Sequence, residues 1–153
     1  MIPLTHLLWA AVWTGLAAEA LDRSVRMARR KLTAGTGGQP PAALAEARWR
    51  LAGPEALLAE TATQTQQVLS GQARPTVGLT VRINSLKVAA SETAMEIAFL
   101  ALRGCGIAGY MESGPFSVAR IIRDLSSSLV MIGNDWLLHT NSQMLLMERQ
   151  EAR

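Results

Sequence analysis

The sequence has little of what most enzymes use for chemistry. It holds one cysteine and two histidines, so an internal disulfide is excluded and a zinc site lacks ligands. Aromatic residues make up 5% and β-branched runs are scarce, which argues against a sheet protein. No Gly-Lys-Ser/Thr follows the glycines near residue 106, and no strand precedes them, so a phosphate loop is not indicated. The run Ser126-Ser127-Ser128 has no nucleophile-elbow motif and reads as small-residue helix packing. Cys105 lies between two glycines with no base nearby in sequence, which reads as an inert thiol. With one cysteine, a reducing, cytoplasmic setting is the expectation.

What is present points to helices. The 153 residues suit one domain, 1–153, and 49% of them are hydrophobic, mainly alanine, leucine and methionine, which favour helix. Helical spacing runs over about 4–31, 42–69, 79–103 and 116–148. The breaks are TAGTGGQPP at 33–41, Pro75 with Gly78, and GCGIAGYMESGP at 104–115. Ile83, Leu86, Ala90, Ala94, Ile97 and Ala101 trace a clean apolar stripe. Gly53-Pro54 is expected to kink or break the second segment. Its TATQTQQ stretch is expected to face water, and Gly133 with Asn134 to divide the fourth segment. Long helices joined by moderate loops predict an all-α, up-and-down four-helix bundle.

The opening stretch, 2–21, is apolar nearly all round. No basic residue precedes it, and Pro3, Thr5, His6, Thr14 and Glu19 interrupt it, so it reads as a buried helix rather than a span or signal peptide. Trp9 and Trp13 stand one turn apart and form one ridge, for the core or for an interface with another chain. The net charge is +3. Arg23, Arg26, Arg29, Arg30 and Lys31 cluster where a helix C-terminus is expected, complementing its dipole. A phosphorylated ligand is the alternative; no aromatics interleave with the cluster, which argues against nucleic acid. Glu92 and Glu96 are one turn apart on the face opposite the stripe. Without a Glu-x-x-His companion they read as a solvated face rather than a metal site. Asp135 and His139, also one turn apart, are placed to pair.

Three stretches together resemble the C-terminal helical domain of the acyl-CoA dehydrogenases. IPLTHLLWAAVWTGLAAEALDR (2–23) resembles the helix that opens that domain, with Gly15 at its small-residue position. RINSLKVAASETAMEIAFLALRGCGIAGY (82–110) resembles the long helix and the Gly-rich turn ending in Gly-Tyr. VARIIRDLSSSLVMIGND (118–135) carries Arg120, Arg123 and Asp124 in the family's Arg-x-x-Arg-Asp pattern.

The resemblance implies a bundle that oligomerises through its helices, with FAD held between it and a middle β-domain, and an acyl-CoA tail entering the bundle. That middle domain and an N-terminal helical domain have no counterpart in these 153 residues. The implied role is part of a flavin and acyl-thioester site, shared within a homo-oligomer or with a flavoprotein chain. The alternative is a non-catalytic assembly or ligand-binding bundle. No nucleic acid, membrane or metal is implied. The family's base glutamate corresponds to Ile132, and an alternative base position to Thr5. Neither side chain takes an α-proton at neutral pH, so no catalytic residue is assigned. The CoA-contacting arginine next to that alternative position corresponds to His6, and the glycine that follows the base position corresponds to Gly133, a substrate contact. The flavin contacts correspond to Arg103, Gly106 and Asn134.

Overall fold

In a computed structural model of the protein, residues 4–151 are described, with burial given through Met147. Ile2 and Pro3 of the apolar opening lie outside the described residues. The chain forms α1 (Leu4–Thr33), α2 (Ala42–Leu69), α3 (Val77–Cys105), the single turn α4 (Ile107–Tyr110), α5 (Ala119–Val130) and α6 (Asn134–Glu151). Among the described residues there is no strand.

Contacts along the helices fix their directions. His6 meets Asn84 and Lys31 reaches Gly104, so α1 and α3 run parallel. Arg50 pairs with Glu96, and Arg82 with Glu60, so α2 runs back along α3. Lys87 meets Ser128, while Val118 bonds to Gly109 beyond the end of α3, so α5 also runs antiparallel. Asn134 meets Ser91, and Asn141 meets Ser85, so α6 continues in that sense. The result is an up-and-down four-helix bundle whose fourth helix is broken at Met131–Gly133, as Gly133 and Asn134 suggested.

α1 and α3 form the centre. Ala10, Ala17 and Ala20 on one, and Ala90, Ala94, Ala98 and Ala101 on the other, are essentially inaccessible. Alanine lets helices approach closely and loses no rotamer freedom on burial. Trp13, Leu21, Ile97, Val118, Ile121 and Leu125 fill the space around that seam. By length and composition α1 could cross a membrane; the expectation of a buried helix holds for one face only, since Ala10, Trp13, Ala17 and Ala20 enter the core while Leu4, Leu8 and Val12 are exposed. The whole predicted stripe of α3 is buried.

Two expectations for α2 hold only in part. The helix continues through Pro54 without a break. Proline removes only one hydrogen bond, and Leu51, Pro54, Thr61 and Thr65 are all buried on one side of α2, so packing outweighs the loss. The TATQTQQ stretch is only partly solvated. Thr61 and Thr65 are buried, and their hydroxyls donate to the carbonyls of Leu57 and Thr61, at 2.6 and 2.7 Å. A threonine that satisfies its own hydroxyl this way packs much as valine does.

The glycines after α3 are structural. Gly106 caps the helix at φ +61°, a conformation open to glycine at little cost. Gly109 is buried, and a Cβ there would stand 2.7 Å from Cys105 Cβ and 3.3 Å from Leu102 Cδ1. Gly109→Ala should therefore cost roughly 1–3 kcal/mol through overpacking. Urea denaturation checks it; a change below about 0.5 kcal/mol, ordinary for a harmless surface substitution, would show that the turn yields freely.

Candidate functional site

The break between α5 and α6 is the most unusual part of the molecule. Its centre is Lys87, whose side chain is fully buried. A lysine ammonium in the interior needs acceptors for its three donors, and Lys87 finds three. Nζ donates to the Ser128 carbonyl at 3.3 Å, the Ile132 carbonyl at 2.7 Å and Asn134 Oδ1 at 2.8 Å. It also lies 5.5 Å from the centroid of the Trp13 ring, within cation–π range. The Ser128 carbonyl belongs to the last turn of α5, where helix geometry leaves carbonyls unpaired and the dipole favours a cation.

The backbone of Ile132 is left-handed, at φ +54°. For a β-branched residue this is a genuine outlier. The Ile132 side chain is exposed, as are Gly133 and Asp135. Asn134 turns inward instead. Its Nδ2 donates to Ser91 Oγ and Glu92 Oε1, both at 3.1 Å, while its Oδ1 receives Lys87. Of the residues singled out from sequence, Ile132, Gly133 and Asn134 thus gather at one elbow.

Sequence reasoning missed Lys87. The available signal was a lone lysine flanked by the stripe residues Leu86 and Ala90. Burial lowers its pKa from 10.5, and Glu92 opposes that shift. A lysine whose folded pKa lies below its unfolded value gives up its proton more readily in the native state. Between those two values the unfolded chain binds more protons, so stability rises with pH across that window. The stability difference between wild type and Lys87→Met should therefore widen as pH is raised toward 10.5. Paired urea titrations at neutral and alkaline pH check this; a difference that narrows would contradict it.

His6 sits near the same part of α3. It is buried, and Nδ1 lies 2.9 Å from Asn84 Oδ1. Asn84 Nδ2 donates to Asn141 Oδ1 at 2.9 Å, and Asn141 Nδ2 donates to Ser85 Oγ at 3.2 Å. With the Asn84 amide committed as a donor to α6, its oxygen faces the imidazole, so the proton of His6 is assigned to Nδ1. The ring also stacks with Trp9, and Trp9 with Trp13. His6 therefore ties α1 to α3 and α6 from inside. Thr5, its neighbour, is exposed.

Arg103 and Gly106 lie elsewhere. Along α3 they stand about 24 Å (Arg103) and about 28 Å (Gly106) from Lys87, at ~1.5 Å per residue. Arg103 is exposed beside a surface cavity of about 300 Å³ that it shares with Glu46, Arg50, Glu96, Phe99 and Leu100. A second cavity, about 310 Å³, lies between Lys31, Gly37, Gly38 and Gly104. Because α1 and α3 are parallel, both basic ends meet here. Arg23, Arg26 and Arg50 are satisfied by Glu19, Asp22, Glu46 and Glu96. Arg29, Arg30, Lys31 and Arg103 form no ion pair among the described residues; Arg30 lies over the Phe116 ring. This end of the bundle thus carries uncompensated positive charge.

The remaining candidates from the sequence resolve simply. Asp135 and His139 do not pair: His139 Nε2 is instead 3.1 Å from Gln143 Nε2. Glu96 is held by Arg50. Among the described residues no cluster of histidine, cysteine and carboxylate could hold a metal. Cys105 is buried, and that burial raises its thiol pKa against the opposing pull of Ser24 and of Lys31, Arg23 and Arg26.

A family model described as acyl-CoA dehydrogenase, C-terminal domain, matches residues 4–141. No curated protein matches the chain.

Proposed function

Because the chain belongs to the acyl-CoA dehydrogenase family through its C-terminal domain, we propose that it supplies one wall of a flavin and acyl-thioester site completed by a partner flavoprotein chain. The observation that carries this is the set of cations without carboxylate partners where α1 and α3 end. Near the C-terminal end of α3, which Gly106 caps, Lys31 reaches the Gly104 carbonyl, Arg30 lies over Phe116, and Arg103 lines a separate cavity. Guanidinium groups match a pyrophosphate in charge and geometry, so these residues fit the diphosphate of FAD. Bound there, the flavin would supply a hydride acceptor.

The other end of the proposed site fits less well. Ile132 offers no proton acceptor, and Asn134 is held by Lys87, Ser91 and Glu92. His6 is committed to Asn84 inside the bundle, so it serves the fold before it serves a CoA group. This favours an assembly or ligand-binding role for the chain itself, with any proton abstraction done by the partner. A cytoplasmic location fits the same reading.

The test is purification of the intact chain from its own cells under native conditions, with mass and visible absorbance recorded. The expected result is a yellow assembly containing a larger flavoprotein, whose flavin is lost when Arg30 and Arg103 are both changed to glutamate. A colourless protein that runs alone, or flavin retention by that double variant, would overturn the proposal.

A further inference from the structure

We infer that Lys87 is a latch: its buried ammonium holds the α5–α6 elbow in a left-handed turn that Ile132 would not adopt unaided. The strain and the restraint meet at one residue. Isoleucine at φ +54° places its branched Cβ against its own backbone, so left alone the residue favours the extended or right-handed region. The contact that opposes this is made to the same residue, through the Ile132 carbonyl at 2.7 Å from Lys87 Nζ. The other two acceptors bracket the turn. The Ser128 carbonyl fixes the end of α5, and Asn134 Oδ1 fixes the start of α6. One ammonium therefore joins both helix ends to the strained residue between them.

The latch itself is rigidly placed. Lys87 sits on α3 between the buried Leu86 and Val88, with the Trp13 ring of α1 over its end. The elbow's own side chains add a polar tie to α3 at its far end, where Asn134 Nδ2 donates to Ser91 Oγ and Glu92 Oε1. Leu129, Val130, Ile132 and Trp136 are all exposed, so none of them anchors the turn in the core. Strained backbone persists only where surrounding structure over-determines it, and the lysine is the group bonded to the strained residue itself. Held this way, the elbow projects the side chain of residue 132 outward. Released, residue 132 returns to an ordinary conformation, and the start of α6 is left with the Asn134 bonds to Ser91 and Glu92 alone.

The inference is independent of any flavin or partner, and so is its test. Residue 132 is followed through its backbone carbon chemical shifts, and stability through urea denaturation, in wild type, Lys87→Met, Ile132→Gly and the double variant. In wild type the shifts should report a left-handed residue, and in Lys87→Met an extended or averaged one. Glycine takes the left-handed turn freely. Lys87→Met should therefore raise the unfolding constant by about tenfold less in the Ile132→Gly background than in wild type, a coupling expected of residues in contact. A left-handed residue 132 in Lys87→Met would overturn the latch. So would equal effects of Lys87→Met in both backgrounds, or failure of both Lys87→Met proteins to fold, since each would mean that relieving the strain does not replace the lysine.

Discussion

Replacing Lys87 by methionine should destabilise the protein by about 3 kcal/mol, since removing one partner of a buried charged network leaves the others unpaired. Methionine nearly fills the volume, so a cavity is not the cause. The cost comes from the acceptors left behind: the carbonyls of Ser128 and Ile132, and Asn134 Oδ1. Losing the ammonium also relieves its own desolvation, which is why the effect is smaller than the sum of three broken bonds. For a domain of this size a loss near ~3 kcal/mol lowers Tm by roughly 10 °C. A calorimetric scan reads it directly. A shift of a degree or two would mean that water replaces the lysine and that the elbow needs no internal cation.

Trp13→Ala should be the more damaging change, by about 4 kcal/mol, within the usual range for truncating a buried aromatic. From sequence, Trp13 was equally suited to the core or to an interface. The structure places it in the core: it is 3% exposed and sits among Ala17, Ala94, Ile97 and Leu125 of the central cluster. The loss should therefore appear in unfolding of the chain, with no change in the sedimentation of the fraction that stays folded. It should also remove the ring that faces Lys87, so Trp13→Ala and Lys87→Met should not add. Dissociation of an oligomer with unaltered unfolding would return Trp13 to an interface.

Much of the architecture was legible because its signals are periodic and local. The stripe from Ile83 to Ala101 defined α3, and the Gly/Pro-rich runs at 33–41 and 104–115 defined where helices stop. Pro54 misled because its penalty is local, whereas the packing that outweighs it is made by Leu51, Thr61 and Thr65 against other helices. The threonines of TATQTQQ misled for a related reason: their polarity is answered inside their own helix. At the candidate site, the resemblance pointed to Ile132, Gly133 and Asn134, which lie at the elbow between α5 and α6. Lys87 could not be found this way, because its partners are more than 40 residues away and nothing in its local sequence names them. The basic cluster was visible in α1, but its joining with Arg103 depends on α1 and α3 being parallel, a fact of topology.

The same topology separates two properties that the family combines. One end of the bundle gathers free arginines suited to a diphosphate. The elbow, some 24 Å along α3 at ~1.5 Å per residue, presents the aliphatic side chain of Ile132, the residue that the resemblance sets at the base position. On the proposed function, such a chain would help to hold a flavin and would leave proton transfer to its partner. Two carboxylates lie close to the elbow. Glu92 accepts from Asn134, and Asp135 is exposed to solvent at the start of α6.

The most direct test is α-proton exchange: a saturated acyl thioester is incubated in deuterium oxide with the purified chain and FAD, and deuterium at the α-carbon is measured. Incorporation should be no faster than in buffer, because Ile132 cannot take the proton. Exchange above that background, abolished by Glu92→Gln or Asp135→Asn, would show that the chain carries a base of its own and would contradict the assignment of proton transfer to a partner.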